Sequence, residues 1–292
     1  MTDRRTFLAT SAAATLALAG KAGASPIRAA DDKTWLTYAV NIEMTFNNLP
    51  VLERLKKVKE AGFSHYEFWP YKGKDIDAMI ALNKELGLTP VQFSAFWGIT
   101  DPKKKDAFIQ AIKDSIPVAK KLGVKMICVV AGEKTDGMTD EDQDNAVIDA
   151  LKAGAELVEP EGITIILEPL NILVNHPGQH VVTSAHAARI IDAVGSKNVK
   201  ILFDIYHQQI SEGNLTGNIR KYKDKIGYFQ LADHPGRNEP GTGEINYAHV
   251  LKVVHDTGYD KPIGLEMSPK GDPMKALQAV REVDARAKAM ES

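Results

Sequence analysis

The sequence has one cysteine in 292 residues, no excess of either charge, and no run of 18 uninterrupted apolar residues. Each shortage excludes something. A single thiol, Cys128 in "MICVVAG", rules out an intrachain disulfide framework, and its apolar neighbours mark it as a buried, inert side chain rather than a nucleophile. Lys and Arg number 36 against 38 Asp and Glu, so the net charge of -2 offers no broad basic face for nucleic acid or an anionic membrane. Without a long apolar run the mature chain is expected to lie in no membrane. Glycine is missing from "NIEMTFNNLP", the stretch after the first apolar strand candidate, which removes the phosphate loop that an open, doubly wound sheet would want there. What is present is an ordinary globular composition, 44% hydrophobic and 25% charged, whose expected partner is a small molecule.

The opening residues read as an address. In "MTDRRTFLATSAAATLALAGKAGAS", Arg4 and Arg5 precede an apolar stretch from Ala9 to Gly20 and then the small-residue site Ala22-Gly23-Ala24. The order resembles a twin-arginine export signal, cut after Ala24 or near Ala29-Ala30. Residues 1–30 are therefore expected to be a cleavable signal and short linker, residues 31–292 one domain, and the mature protein periplasmic. That route moves folded chains, which suits a protein loaded with metal inside the cell.

From Asp32 onward, short apolar runs alternate with longer amphipathic ones. The strand candidates begin at Trp35, His65, Thr89, Lys125, Ile163, Val199, Ile226 and Pro262. Between them lie helix-period segments such as "LPVLERLKKVKEAG", and Gly62, Gly87, Gly123, Gly195 and Gly258 fall where helix C-termini are wanted. Continuously apolar strands alternating with helices imply a parallel sheet covered on both faces, and eight such units match a single (β/α)8 barrel.

Barrel chemistry sits at the C-terminal strand ends. There strand five is expected to end in Glu168, strand six in Asp204, strand seven in Gln230 and strand eight in Glu266, spaced by 36, 26 and 36 residues, about one βα unit each. One such acid alone is most often a helix N-cap or an ion-pair partner. Three carboxylates sharing a partly dry pocket repel one another, and a bound divalent cation removes the conflict. The ligands are all oxygen, which suits Mg²⁺ or Mn²⁺ best and leaves Zn²⁺ or Co²⁺ open. His207 and Arg237 lie just beyond strand ends, where an imidazole can orient a substrate hydroxyl or carbonyl and a guanidinium can grip a carboxylate. Glu67, between aromatic residues, fits barrel packing or a pocket wall; His65, opening its strand, belongs at the opposite end.

The segments "LEPLN", "FDIYHQQISEGNLTGNI", "KIGYFQLADHPGRNEPGTGEINY" and "GLEMSP" resemble the motifs of the hydroxypyruvate isomerase family, within the xylose-isomerase-like barrel superfamily. The resemblance implies that Glu168 and Glu266 act as the acid/base pair, that they share a metal with Asp204 and Gln230, and that His207 and Arg237 face the substrate. Three departures stand out: Glu266-Met267-Ser268-Pro269 where the family commonly has Glu-Tyr-x-Pro, "NILVNHPGQH" after strand five, and a short "SAFWGITDPKK" after strand three. The expected reaction is proton transfer in an α-hydroxy carbonyl compound through an enediolate, with hydroxypyruvate to tartronate semialdehyde first. The alternatives are a ketose 3-epimerase or other sugar or keto-sugar isomerase on the same residues, and a non-catalytic sugar-binding barrel. A phosphodiesterase of the abasic-site endonuclease kind would want several histidine ligands and a basic groove. Pairing of barrels into a homo-oligomer is compatible with the exposed helical faces.

Overall fold

The computed structural model describes residues 34–291, and the signal expected over residues 1–30 lies outside them. Eight parallel strands close into a barrel in sequence order, each paired to the next and β8 to β1. They are β1 (Tyr38–Asn41), β2 (His65–Phe68), β3 (Thr89–Trp97), β4 (Met126–Val130), β5 (Thr164–Glu168), β6 (Val199–Asp204), β7 (Ile226–Gln230) and β8 (Ile263–Leu265). Helices follow them: α1 (Val51–Glu60), α2 (Ile76–Leu86), α3 (Lys105–Leu122), α4 (Asp140–Val158), α5 (Ser184–Val194), the pair α6 (Ile205–Ser211) and α7 (Leu215–Tyr222), α8 (Tyr247–Asp256) and α9 (Pro273–Ala289). The eightfold alternation expected from the sequence is the one observed.

The core divides in two, and strand parity decides which side chain joins which part. A smaller cluster including Met126, Cys128, Val130, Ile166, Leu202 and Tyr228 fills the barrel interior. A larger one, with Ile127, Val129, Ile165, Leu167, Ile201 and Phe203, packs the sheet against its helices. Side chains two apart share a face. Ile166 therefore predicts an inward Glu168, Leu202 an inward Asp204 and Tyr228 an inward Gln230.

All five glycines expected at helix ends have positive φ, from 66° at Gly87 to 80° at Gly258, the left-handed conformation that stops a helix without steric cost. The starts of β4 and β5 move by one residue, and the differences that matter for the site fall at β1, β3 and β8. β1 starts at Tyr38 rather than Trp35, because the Trp35 and Leu36 amides donate to the Asp284 carboxylate of α9 at 2.6 and 3.0 Å instead of entering the sheet. β3 runs on to Trp97, its loop held where Gly98 N–H donates to Val130 C=O at 3.0 Å. At Gly132 (φ 99°), an added Cβ would stand 2.5 Å from the Gly98 backbone. β8 stops at Leu265, leaving Glu266 on the first residue past the strand.

Candidate active site

Glu168, Asp204, Gln230 and Glu266 meet inside the C-terminal mouth, all of them buried. Asp204 also does what a lone strand-end acid most often does: it caps α6, its Oδ1 accepting from Tyr206 N–H at 2.8 Å. Its other oxygen accepts from Arg237 Nη2 at 3.2 Å, and the same Nη2 donates to Glu266 Oε2 at 2.5 Å. Trp69 Nε1 donates to Glu266 Oε1 at 2.7 Å. Glu168 has the thiol of Cys128 beside it, at 3.6 Å.

The carboxylates crowd one guanidinium, and their proton affinities show it. Burial, then the charges of Glu266 and Asp204, raise Glu168 well above the ordinary carboxylate range, although Arg237 pulls the other way. Asp204 is pushed up to about 7, by burial first, against the opposing pull of Arg237 and with Glu266 adding to the rise. For Arg237 burial opposes the charge, but Glu266, Asp204 and Glu168 outweigh it and hold the guanidinium protonated.

His207, fully buried, takes its orientation from Asn171. Its Nδ1 faces the Asn171 side-chain nitrogen at 2.6 Å and accepts from the Asn171 backbone N–H at 3.3 Å. An accepting Nδ1 leaves the proton on Nε2. That Nε2 lies 3.5 Å from Asp204 Oδ2 and has no hydrogen-bond partner. Burial, Arg237 and His176 keep the ring neutral by lowering its pKa well below the usual value.

Arg237 is delivered by a loop whose organiser is Asp233. The Asp233 carboxylate accepts from the backbone N–H groups of His234, Gly241, Gly243 and Ile245 at 2.8–3.1 Å. A Cβ at Gly243 would stand 2.2 Å from His234 O, so glycine is required there. Arg237 sits in the left-handed region at φ 57°, with its guanidinium 5.1 Å over the Tyr206 ring. Such backbone strain concentrates at functional sites. Its buried Nε has no partner.

Below the mouth lies a polar hub built on Glu67, which its sequence setting fits to barrel packing or a pocket wall. Glu67 is fully buried, Oε1 accepting from Asn41 Nδ2 (3.0 Å) and Gln230 Nε2 (2.9 Å), Oε2 from Gln92 Nε2 (3.0 Å) and Tyr228 Oη (2.8 Å). Burial and the charge of Glu266 nonetheless push it up to about 7. Gly264 makes room for it, since a Cβ there would stand 2.5 Å from Glu67 Oε2. The signal was present in the sequence: Glu67 alternates with Tyr66 and Phe68, which pack outward, so it must point in. Trp69 and Asn171 carried no comparable signal. His65 lies at the other end of the barrel, as expected from its place at the start of β2.

Whether a divalent cation suits the mouth can be judged from its polar atoms. Gln230 donates its amide nitrogen to Glu67, which leaves its Oε1 buried without a partner beside the raised carboxylates. Oxygen atoms left unsatisfied among protonation-prone carboxylates are what a hard cation would relieve. Ligand atoms of Glu168, Asp204 and His207 come within 4.8 Å of one another. The residues fit such an ion. His207 belongs to that cluster by distance, but with its Nδ1 accepting from the Asn171 backbone N–H its Nε2 carries the proton and offers no lone pair to an ion.

Residues 55–285 match the family model described as the xylose isomerase-like TIM barrel, and the chain belongs to that family. It is 32% identical to hydroxypyruvate isomerase of Escherichia coli over 80% of this chain and 94% of that one. It is 30% identical to 2-oxo-tetronate isomerase of Pectobacterium atrosepticum, over 80% and 92%. Among solved structures, an AP endonuclease, family 2, from Brucella melitensis superposes with a TM-score of 0.78 at 28% identity, covering 83% of this chain and 96% of that one. With relatives of this kind along most of its length, the chain is an isomerase.

Proposed function

We propose that the protein is a metal-dependent isomerase of α-hydroxy carbonyl compounds, converting hydroxypyruvate to tartronate semialdehyde through an enediolate. The observation that carries this reading is the pair Glu168 and Glu266 on β5 and just past β8, three strands apart around the ring, with orphaned polar atoms of Gln230, His207 and Arg237 beside them. A divalent cation held by Glu168, Asp204, Gln230 and Glu266 would polarise the substrate's oxygens and offset developing negative charge. Mg²⁺ or Mn²⁺ fits an all-oxygen set best.

The chain's own residues divide the proton work. Glu266, its charge met by Arg237 and Trp69, takes the C–H proton from the hydroxyl-bearing carbon. Glu168, held above the usual range by burial, delivers a proton to the neighbouring carbon. The hydroxyl proton moves to the former carbonyl oxygen, so one C–H and one O–H are lost and one of each is gained. His207 Nε2–H orients one of these oxygens. The Arg237 Nε–H, buried without a partner, is a donor available to a substrate carboxylate, which favours a hydroxy-keto acid over a neutral sugar.

Metal analysis of the purified protein, then deuterium exchange from solvent into hydroxypyruvate and into a panel of ketoses, tests the reading. Metal-dependent exchange into hydroxypyruvate, lowered about 10²–10⁴-fold in Glu168→Gln and Glu266→Gln, is expected. Exchange into ketoses alone would move the assignment to a ketose 3-epimerase. Unchanged turnover in both variants would sink the acid/base pair. The Arg4-Arg5 leader further supports export by the twin-arginine route to the periplasm, tested by fractionating cells that express the full chain and an Arg4→Lys/Arg5→Lys variant.

A further inference from the structure

Away from the mouth, three metal-ligating side chains from separate elements converge between α4 and α5. Asp144 projects from α4, His186 from the first turn of α5, and His180 from the loop between β5 and α5. His180 Nε2 lies 2.7 Å and His186 Nε2 2.6 Å from the same Asp144 Oδ1, and the rings stand edge to face at 5.0 Å. Their ligand atoms fall within 4.8 Å of one another.

Hydrogen bonding accounts for only part of this arrangement. If His180 carries its proton on Nε2, its Nδ1 is an acceptor with no partner, on a side chain 1% exposed. If the proton is on Nδ1, the Nε2 lone pair points at a carboxylate lone pair. A cation between Nε2 and Asp144 resolves both difficulties. Nδ1–H then faces Asp140 Oδ1, 3.9 Å away, a separation that one small adjustment or a bridging water closes. Metal-bound histidines characteristically turn their second nitrogen to a carboxylate in this way.

We propose that Asp144, His180 and His186 form a Zn²⁺ site, separate from the catalytic mouth. Two imidazoles and one carboxylate are a zinc donor set, and the partial exposure of Asp144, 26%, leaves room for a water in the fourth position. The ion staples the β5–α5 loop to both helices. That loop holds Asn171, which orients His207, and His176, whose ring is 5.3 Å from that of His207. It is already latched to the β4 end, where His180 N–H donates to Gly132 O at 3.0 Å. The site does not depend on the reaction assigned to the mouth.

The test uses the full chain carrying Glu168→Gln and Asp204→Asn, which takes away two of the mouth's three carboxylate ligands. Zn²⁺ titration by calorimetry and Co²⁺ titration by visible absorption are expected to give one tight equivalent and a raised thermal midpoint. Adding His186→Gln, which keeps a donor toward Asp144, or Asp144→Asn should weaken binding by more than the roughly 10- to 100-fold that an outer contact costs. It should also abolish the midpoint shift, with circular dichroism unchanged. No bound ion in the double variant, or binding that both added substitutions leave intact, overturns the proposal.

Discussion

At the scale of single residues, the site rests on buried carboxylates whose surroundings differ. Glu67 never reaches the mouth's surface, yet its four donors tie β1, β3 and β7 to β2, so it fixes Gln230 from beneath. Glu67→Gln keeps the shape but sets an amide NH₂ against groups that already donate. A loss of about 2–4 kcal/mol in unfolding free energy is expected, measured by urea denaturation. The same residue was legible only in its parity. Glu168, Asp204, Gln230 and Glu266 could be read from their places because each interrupts an apolar run at a strand end. Asn171 and Trp69 could not, since an asparagine in a loop and a tryptophan after a strand have many structural uses, and contact with His207 and Glu266 arises only on folding.

At the scale of elements, the β7–α8 loop positions Arg237. Its glycines and its short polar residues are legible as turn chemistry, but the sequence does not reveal that Asp233 is the hub that gathers four backbone amides. Asp233→Ala removes those acceptors together while leaving every strand in place. Its kcat/KM should fall by about 100-fold through misplacement of Arg237, with the thermal midpoint changing far less than in Glu67→Gln. A similar clasp joins the start of the barrel to α9: Asp284 accepts from Trp35 N–H, Leu36 N–H and Tyr38 Oη. Asp284→Ala is expected to lower stability by about 3 kcal/mol with the kinetic constants nearly unchanged, checked by thermal unfolding beside a steady-state assay.

For the whole molecule, proton affinities at the mouth link stability to pH. Glu67 and Asp204 have ordinary values of 4.5 and 3.8 and stand at about 7 in the folded chain. Between those limits the folded protein binds more protons than the unfolded one, so stability falls as pH rises. For one such group the loss by pH 8 is on the order of 3 kcal/mol. Chelator-treated protein should therefore melt at a higher temperature at pH 5 than at pH 8, measured by calorimetry. A divalent cation, which needs the ionised carboxylates, should raise the pH 8 midpoint more than the pH 5 one.

The alternation of apolar strands with glycine-ended amphipathic helices is local and periodic, so the sequence by itself determined the eightfold parallel barrel. It also determined the polar residues at or just past the ends of β5 to β8, because parity and spacing follow from the strand repeat. Ring closure decided the rest. Asn41 meets Glu67 across the neighbouring β1–β2 pair, but only when β8 pairs with β1 do Tyr228, Gln230 and Gly264 reach Glu67. Only folded helices bring Asp144, His180 and His186 to one point. Such contacts join residues far apart in the chain, and no short-range pattern encodes them; they depend on the direction each side chain takes once the barrel has closed.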